Sequence, residues 1–203
     1  MMFQTSLFPE VPAHTAPAMP SGFRYRPELI DAHEAASLLR EIASLPMKPY
    51  EFRGFLANRQ VTAFGLRYNT QTRRMEKATD LPGFLLDLRA KAASFAGLPA
   101  DDFQQVLVTR YPPGVALGWH RDRLHYNQIV GVSLLSAANF RLRRRDGERW
   151  IRASQIVEPR SIYVMTGEAR YVWEHSIPPV DALRFSVTFR TLADGVPAIA
   201  GGG

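Results

Sequence analysis

The chain has no cysteine and only three lysines, Lys48, Lys77 and Lys91. The first absence excludes disulfides, thiolate metal sites and a cysteine nucleophile. Also missing is any apolar run near the ~20 residues that a spanning helix needs. No basic residue precedes Arg24, so the N-terminal stretch does not read as a secretory signal. A cytoplasmic protein with no membrane partner is the expectation. With 203 residues and 46% apolar content, one domain with a sizeable core is expected, most simply as a monomer.

Because lysine is scarce, the positive balance is made of arginine. Twenty-five basic side chains against 19 acidic ones leave a formal charge of +6. Guanidinium forks suit planar, bidentate contact with phosphate or carboxylate. Such a balance fits an anionic partner such as nucleic acid; a solvated basic surface would give the same count.

Residues 1–27 hold Pro9, Pro12, Pro17 and Pro20 without helical period and read as an irregular lead-in. Asp31 and Glu34 have capping-box spacing, and Leu38, Leu39, Ile42 and Leu45 then line one helix face. A second helix is predicted from Pro82 to Phe95, with Gly97 as its stop. Between the two, residues 48–77 carry seven basic side chains against two acidic ones, interleaved with Tyr50, Phe52, Phe55, Phe64 and Tyr68. Arginine mixed with aromatics can neutralise phosphates and stack bases. Two strands with an ordinary polar face would look alike.

From residue 103 the pattern changes to short strands: 103–111, 128–136, 139–145, 149–153, 161–166, 171–175 and 183–191. Asp146-Gly147 is a two-residue hairpin signal, and Arg141, Arg143 and Arg145 fall on one face of the strand before it. Seven strands at this spacing predict a sandwich or barrel. The tail, 194–203, ends in glycines.

His120-Arg121-Asp122 places an imidazole and a carboxylate two apart, and His175 offers a third ligand on another strand. Two histidines and a carboxylate on one face of an octahedron leave three positions for a chelating cosubstrate and dioxygen, as in non-haem Fe(II) oxygenases. Downstream, Arg184, Ser186, Thr188 and Arg190 alternate with Phe185, Val187 and Phe189. Two arginines facing inward need anions. A dicarboxylate would supply two; protein carboxylates or an exposed face are the other solutions.

These motifs, in order, are Thr109-Arg110-Tyr111-x-Pro-Gly114, His120-x-Asp122, Val130-Gly131-Val132-Ser133-Leu134, His175-Ser176-Ile177 and Arg184 through Arg190. With the looser Gly65-Leu66-Arg67-Tyr68, the chain resembles the AlkB family of Fe(II)- and 2-oxoglutarate-dependent dioxygenases. The resemblance implies an α+β, mainly β fold: a double-stranded β-helix (jelly roll) with flanking N-terminal helices, over residues 28–193. It implies that His120, Asp122 and His175 are the catalytic metal ligands. Arg184 and Arg190 would bind the carboxylates of 2-oxoglutarate, with Tyr111, Thr109 and Ser186 beside it. Residues 48–79 would be the substrate lid, with Tyr68 and Arg59 as contacts.

The implied cofactors are Fe(II), 2-oxoglutarate and O2. The implied activity is oxidative demethylation of alkylated DNA or RNA bases, a repair-type reaction on single-stranded or damaged nucleic acid that releases succinate, CO2 and formaldehyde. Three departures bear on this. Thr109 and Ser186 stand where the family commonly has Asn, and Leu124 stands where nucleic-acid members often carry an acidic residue. A leucine cannot accept a hydrogen bond from a base amino group. The alternatives are the same chemistry on a methylated protein or small molecule, or an inactive nucleic-acid-binding jelly roll. His125 reads as a pocket or solvent-facing residue, and His14 and His33 as surface residues.

Overall fold

The computed structural model describes residues 18–52, 55–69 and 74–196. In chain order the elements are β1 (Phe23–Arg26), α1 (Ala32–Ala43), β2 (Lys48–Phe52), β3 (Phe55–Asn69) and β4 (Arg74–Lys77). Then come α2 (Leu86–Ala96), β5 (Gln105–Tyr111), β6 (Leu117–His120), β7 (Tyr126–Leu134) and β8 (Ala138–Asp146). The last five are β9 (Arg149–Val157), β10 (Ile162–Met165), α3 (Gly167–Tyr171), β11 (Glu174–Ile177) and β12 (Arg184–Leu192).

The larger sheet has the order β1-β10-β7-β12-β5-β3-β2, with β4 attached to β3; the smaller is β6-β11-β8-β9. The strands in both pair antiparallel, which gives the jelly roll. Two apolar clusters follow from side-chain alternation. One lies between the large sheet and the helices, where Ile42, Leu88 and Ala92 meet Val106, Val130, Val187 and Phe189. The other lies between the sheets, where Phe140 and Leu142 meet Ile129, Tyr163 and Met165. The cavity described below opens into this inter-sheet space.

Several elements form where local chemistry demands them. Asp31 accepts from the Glu34 amide and Glu34 accepts from the Asp31 amide, so both capping-box bonds are made. Asp146 pairs with Arg149 across the predicted hairpin, and Gly147 takes φ +58°. Gly65 has φ +74° and a Cβ there would lie 2.3 Å from the Gln104 carbonyl oxygen. At this residue β3 stops pairing with β5 and turns to β4.

Three expectations need correction. Residues 23–26, within the lead-in read as irregular, form β1 on the edge of the large sheet, because Phe23 and Tyr25 pack onto the inter-sheet core while Arg24 and Arg26 lie over Phe95. The remainder of that lead-in, 1–17, lies outside the described residues. The helix expected over 82–95 begins with a 3-10 turn at Gly83–Leu85 and is α-helical only from Leu86, ending at Gly97 in the left-handed conformation. The strand expected over 171–175 is instead the end of α3 followed by β11, because Arg170 turns inward to bond the start of β7. The basic segment after residue 48 does form paired strands, as one of its two readings had it, and β3 continues the large sheet through β5.

Candidate active site

His120 ends β6, Asp122 follows it, and His175 sits on β11 directly opposite His120 in register. One ligand atom from each of the three lies within 4.8 Å of the others. The His120 Nε2 is 3.2 Å from Asp122 Oδ1, and the His175 Nε2 is 3.8 Å from the same oxygen. The His120 Nδ1 lies 2.9 Å from the Gly118 carbonyl oxygen. That contact favours a proton on Nδ1 and leaves the Nε2 lone pair for a metal. The donor set, two nitrogens and a carboxylate on one side, is the one that suits Fe(II) with three positions open.

Burial opposes a charge on Asp122, but the Arg190 guanidinium, with the two histidines beside it, holds its carboxyl well below the usual range. Arg190 donates Nε to Asp122 Oδ2 and Nη1 to the Gln105 Oε1, each over 2.8 Å. Its own pKa rises, since the pairing with Asp122 outweighs burial. His175 is buried, which with His120 nearby pushes its imidazole down to about 3. A neutral histidine is the metal-binding form.

Arg184 is 1% exposed, bonds the Ser133 Oγ through Nε at 3.2 Å, and lies over the Tyr111 ring. Its Nη1 and Nη2 are buried without a hydrogen-bond partner. Leaving two nitrogens of a guanidinium unmet in the interior costs several kcal/mol unless an anion arrives. A carboxylate from a dicarboxylic cosubstrate fits that vacancy of partners.

His120, Asp122 and His175 share one cavity wall with Thr109, Tyr111, Arg184, Ser186, Arg190, Arg59 and Tyr68. All ten residues singled out in the sequence thus border a single cavity of about 750 Å³, a size suited to a small-molecule ligand. Arg59 stacks over Tyr50 at 4.0 Å, while Tyr68 packs against the His125 ring at 4.1 Å and lies under Arg123. His125 therefore braces Tyr68 of β3 rather than joining the ligand cluster. Leu124 is 73% exposed, and among the described residues Glu51 is the only carboxylate besides Asp122 along that cavity wall. His33 is exposed; His14 falls outside the described residues.

Three contributors were not legible in the sequence. Gln105 looks like an ordinary polar start to a strand until register sets it opposite Arg190. Tyr163 reads as one apolar strand residue, yet it borders the cavity, and burial raises its phenol pKa. Arg170 is 2% exposed and donates to the carbonyls of Arg123, Tyr126 and Asn127. It thereby fastens the loop that follows Asp122.

Comparison with known proteins agrees with this geometry. The family described as the 2OG-Fe(II) oxygenase superfamily matches residues 22–190. The Mus musculus protein "tRNA (carboxymethyluridine(34)-5-O)-methyltransferase ALKBH8" is 26% identical over 181 residues, covering 85% of this chain and 27% of that protein. The chain thus spans about a quarter of the length of the ALKBH8 proteins it matches. Among solved structures, OsALKBH1 superposes with a TM-score of 0.62 at 15% identity, over 87% of this chain and all of that one. A Pseudomonas putida prolyl-4-hydroxylase gives 0.61 at 14% identity, over 86% of this chain and 94% of that one. Both show a shared fold.

Proposed function

Since this chain belongs to the 2OG-Fe(II) oxygenase superfamily and is AlkB-like within it, we propose that its Fe(II)- and 2-oxoglutarate-dependent dioxygenase chemistry acts on alkylated nucleic-acid bases as an oxidative demethylation. The observation that carries the site assignment is the pairing of the His120–Asp122–His175 cluster with the two Arg184 Nη groups, which have no partner among the described residues, in one cavity. His120, Asp122 and His175 would hold the iron, and Arg184 would take one carboxylate of 2-oxoglutarate, flanked by Tyr111, Thr109 and Ser186. When bound, iron and 2-oxoglutarate supply an O2-derived oxidant able to hydroxylate a C–H bond, with succinate and CO2 as coproducts. Arg190 keeps Asp122 ionised and aimed, and Gln105 keeps Arg190 in place. Threonine and serine hydroxyls at 109 and 186 can donate to a bound oxyanion, so the departures from Asn leave a polar wall.

Substrate choice would fall to the lid. Tyr68 offers a ring and Arg59 a cation at the mouth of the cavity, which suits a stacked base and its phosphate. The relatives named for tRNA and DNA alkylation chemistry favour this class. The exposed Leu124, and a cavity wall poor in carboxylates, instead favour a methylated protein or small molecule.

Succinate and formaldehyde release with Fe(II), 2-oxoglutarate and a methylated single-stranded oligonucleotide decides between them, with Asp122→Ala as control. Formaldehyde matched to loss of the methyl group supports the demethylase. Succinate without demethylation moves the substrate to another class.

A further inference from the structure

The face of β8 turned away from the cavity carries Arg141, Arg143 and Arg145 at every second residue, while Phe140 and Leu142 point into the core. Register sets Arg152 and Glu174 beside Arg143, Ser154 and Ser176 beside Arg141, and Trp150 beside Arg145. Trp119 of β6 closes the row. The guanidinium of Arg143 lies 4.3 Å from the Trp119 ring and 4.1 Å from the Trp150 ring. Arg141 sits over Trp119 at 5.1 Å and Arg145 over Trp150 at 4.4 Å. Arginine and indole thus alternate across the sheet.

This stack orders the arginines before any partner arrives, which reduces the entropy lost on binding. Arg141 and Arg143 commit their Nε groups to Ser176 and Glu174. Their Nη ends, and the whole of Arg152, have no hydrogen-bond or ion-pair partner among the described residues. In these cross-strand rows Glu174 is the lone carboxylate against four arginines. A merely solvated face would mix signs more evenly.

We propose that this outer face of the small sheet is a track for the sugar-phosphate backbone of a nucleic-acid strand, gripping the part of the substrate that flanks the reacting base. It rests on the nucleic-acid reading of the cavity. Arginines two apart on a strand recur about every 6.7 Å, close to the step between successive phosphates of an extended strand. The indole rings lie between neighbouring guanidinium groups and hold those cations in a row at this spacing, where a flexible acidic peptide would present no such fixed step. Position connects the track to the cavity: Trp119 directly precedes His120, Glu174 directly precedes His175, and β6 is the sheet's edge.

The test is fluorescence anisotropy with a labelled single-stranded oligonucleotide over a range of salt, for the wild type and Arg145→Glu/Arg152→Glu. Both residues are exposed, so the double variant should melt as the wild type does. Affinity should fall by on the order of tenfold, and the log–log salt slope should shrink by about 1.4, since ~0.7 goes with each single-strand phosphate contact. Quenching of tryptophan fluorescence by the oligonucleotide, lost in Trp150→Phe, supports the same track. Equal binding by wild type and double variant overturns the track and leaves the cavity assignment standing. Loss on the variant with no oxidation of any base supports the track and sinks the nucleic-acid reading of the cavity. Binding of poly-glutamate but not of the oligonucleotide overturns the proposal in favour of an acidic protein partner, and binding of neither overturns it outright.

Discussion

Arg190 donates its Nε to the Asp122 carboxylate over 2.8 Å, so the acidic member of the metal cluster is tied to the strand that also carries Arg184. The two functions proposed for the cavity, holding a metal and holding an anion, therefore share one strand. Residues 184, 186, 188 and 190 face the cavity, and Phe185, Val187 and Phe189 between them anchor that strand to the helix-side core.

That tie makes two substitutions at Asp122 behave differently. Asp122→Asn keeps an oxygen for Arg190, whereas Asp122→Ala leaves the arginine buried beside Gln105 alone. Both should abolish metal-dependent succinate formation and Co(II) binding by calorimetry. Both lose the ion pair, but Asp122→Ala should be the less stable by on the order of 1–3 kcal/mol, because the buried Arg190 Nε then has no acceptor, read by denaturant unfolding. Equal stability of the two would mean that this hydrogen bond holds nothing in place.

The two arginines should separate by readout. Arg184→Ala removes the guanidinium with the unpartnered Nη groups, so half-saturation by 2-oxoglutarate should rise by at least about tenfold, ~1.4 kcal/mol, while metal affinity stays put. Arg190→Ala should weaken both, because Asp122 loses its partner. Titrations of metal and cosubstrate on the two variants check this; identical profiles would contradict it.

The metal-free protein should be acid-sensitive. The His175 imidazole is depressed from 6.5 to about 3 by burial, so between those values the unfolded chain binds a proton that the folded chain does not. Stability is then full above about pH 6.5 and declines as pH falls toward 3. Asp122, held well below its usual carboxylate range, adds a loss of the same sign further down. Melting temperature against pH should show the slope, and His175→Gln should flatten its upper part.

Gly131 is a packing requirement rather than a turn. A Cβ there would lie 2.3 Å from the Tyr163 ring. Gly131→Ala should cost about 1–3 kcal/mol by overpacking, and Gly131→Ala/Tyr163→Leu should recover part of it. A fully stable single variant would show that the ring can move aside.

Much of the site was legible because its spacing is local. His120-x-Asp122 needs only an extended backbone to bring its two groups together, and the alternation from Arg184 to Arg190 needs only a strand with one apolar face. The capping box at Asp31 and the Asp146-Gly147 hairpin are likewise decided within four residues. The strand expected at 171–175 failed for the opposite reason. Arg170 is drawn inward by three carbonyls some 43 to 47 residues away, which no local pattern announces.

By itself, then, the sequence determined the chemistry on offer: a metal-binding trio, two inward arginines, no thiols, and a basic aromatic segment between two helices. Its short-range alternation also determined that a β-sandwich would carry them. Only the tertiary structure decided who meets whom. Register placed His175 opposite His120 and Gln105 opposite Arg190. Sheet pairing made the basic segment part of the barrel wall, and the crossing of β6, β8 and β9 gathered arginines and tryptophans into one face. Those relations depend on contacts between residues tens of positions apart, where side-chain burial and backbone pairing across the whole domain, not neighbouring residues, set the geometry.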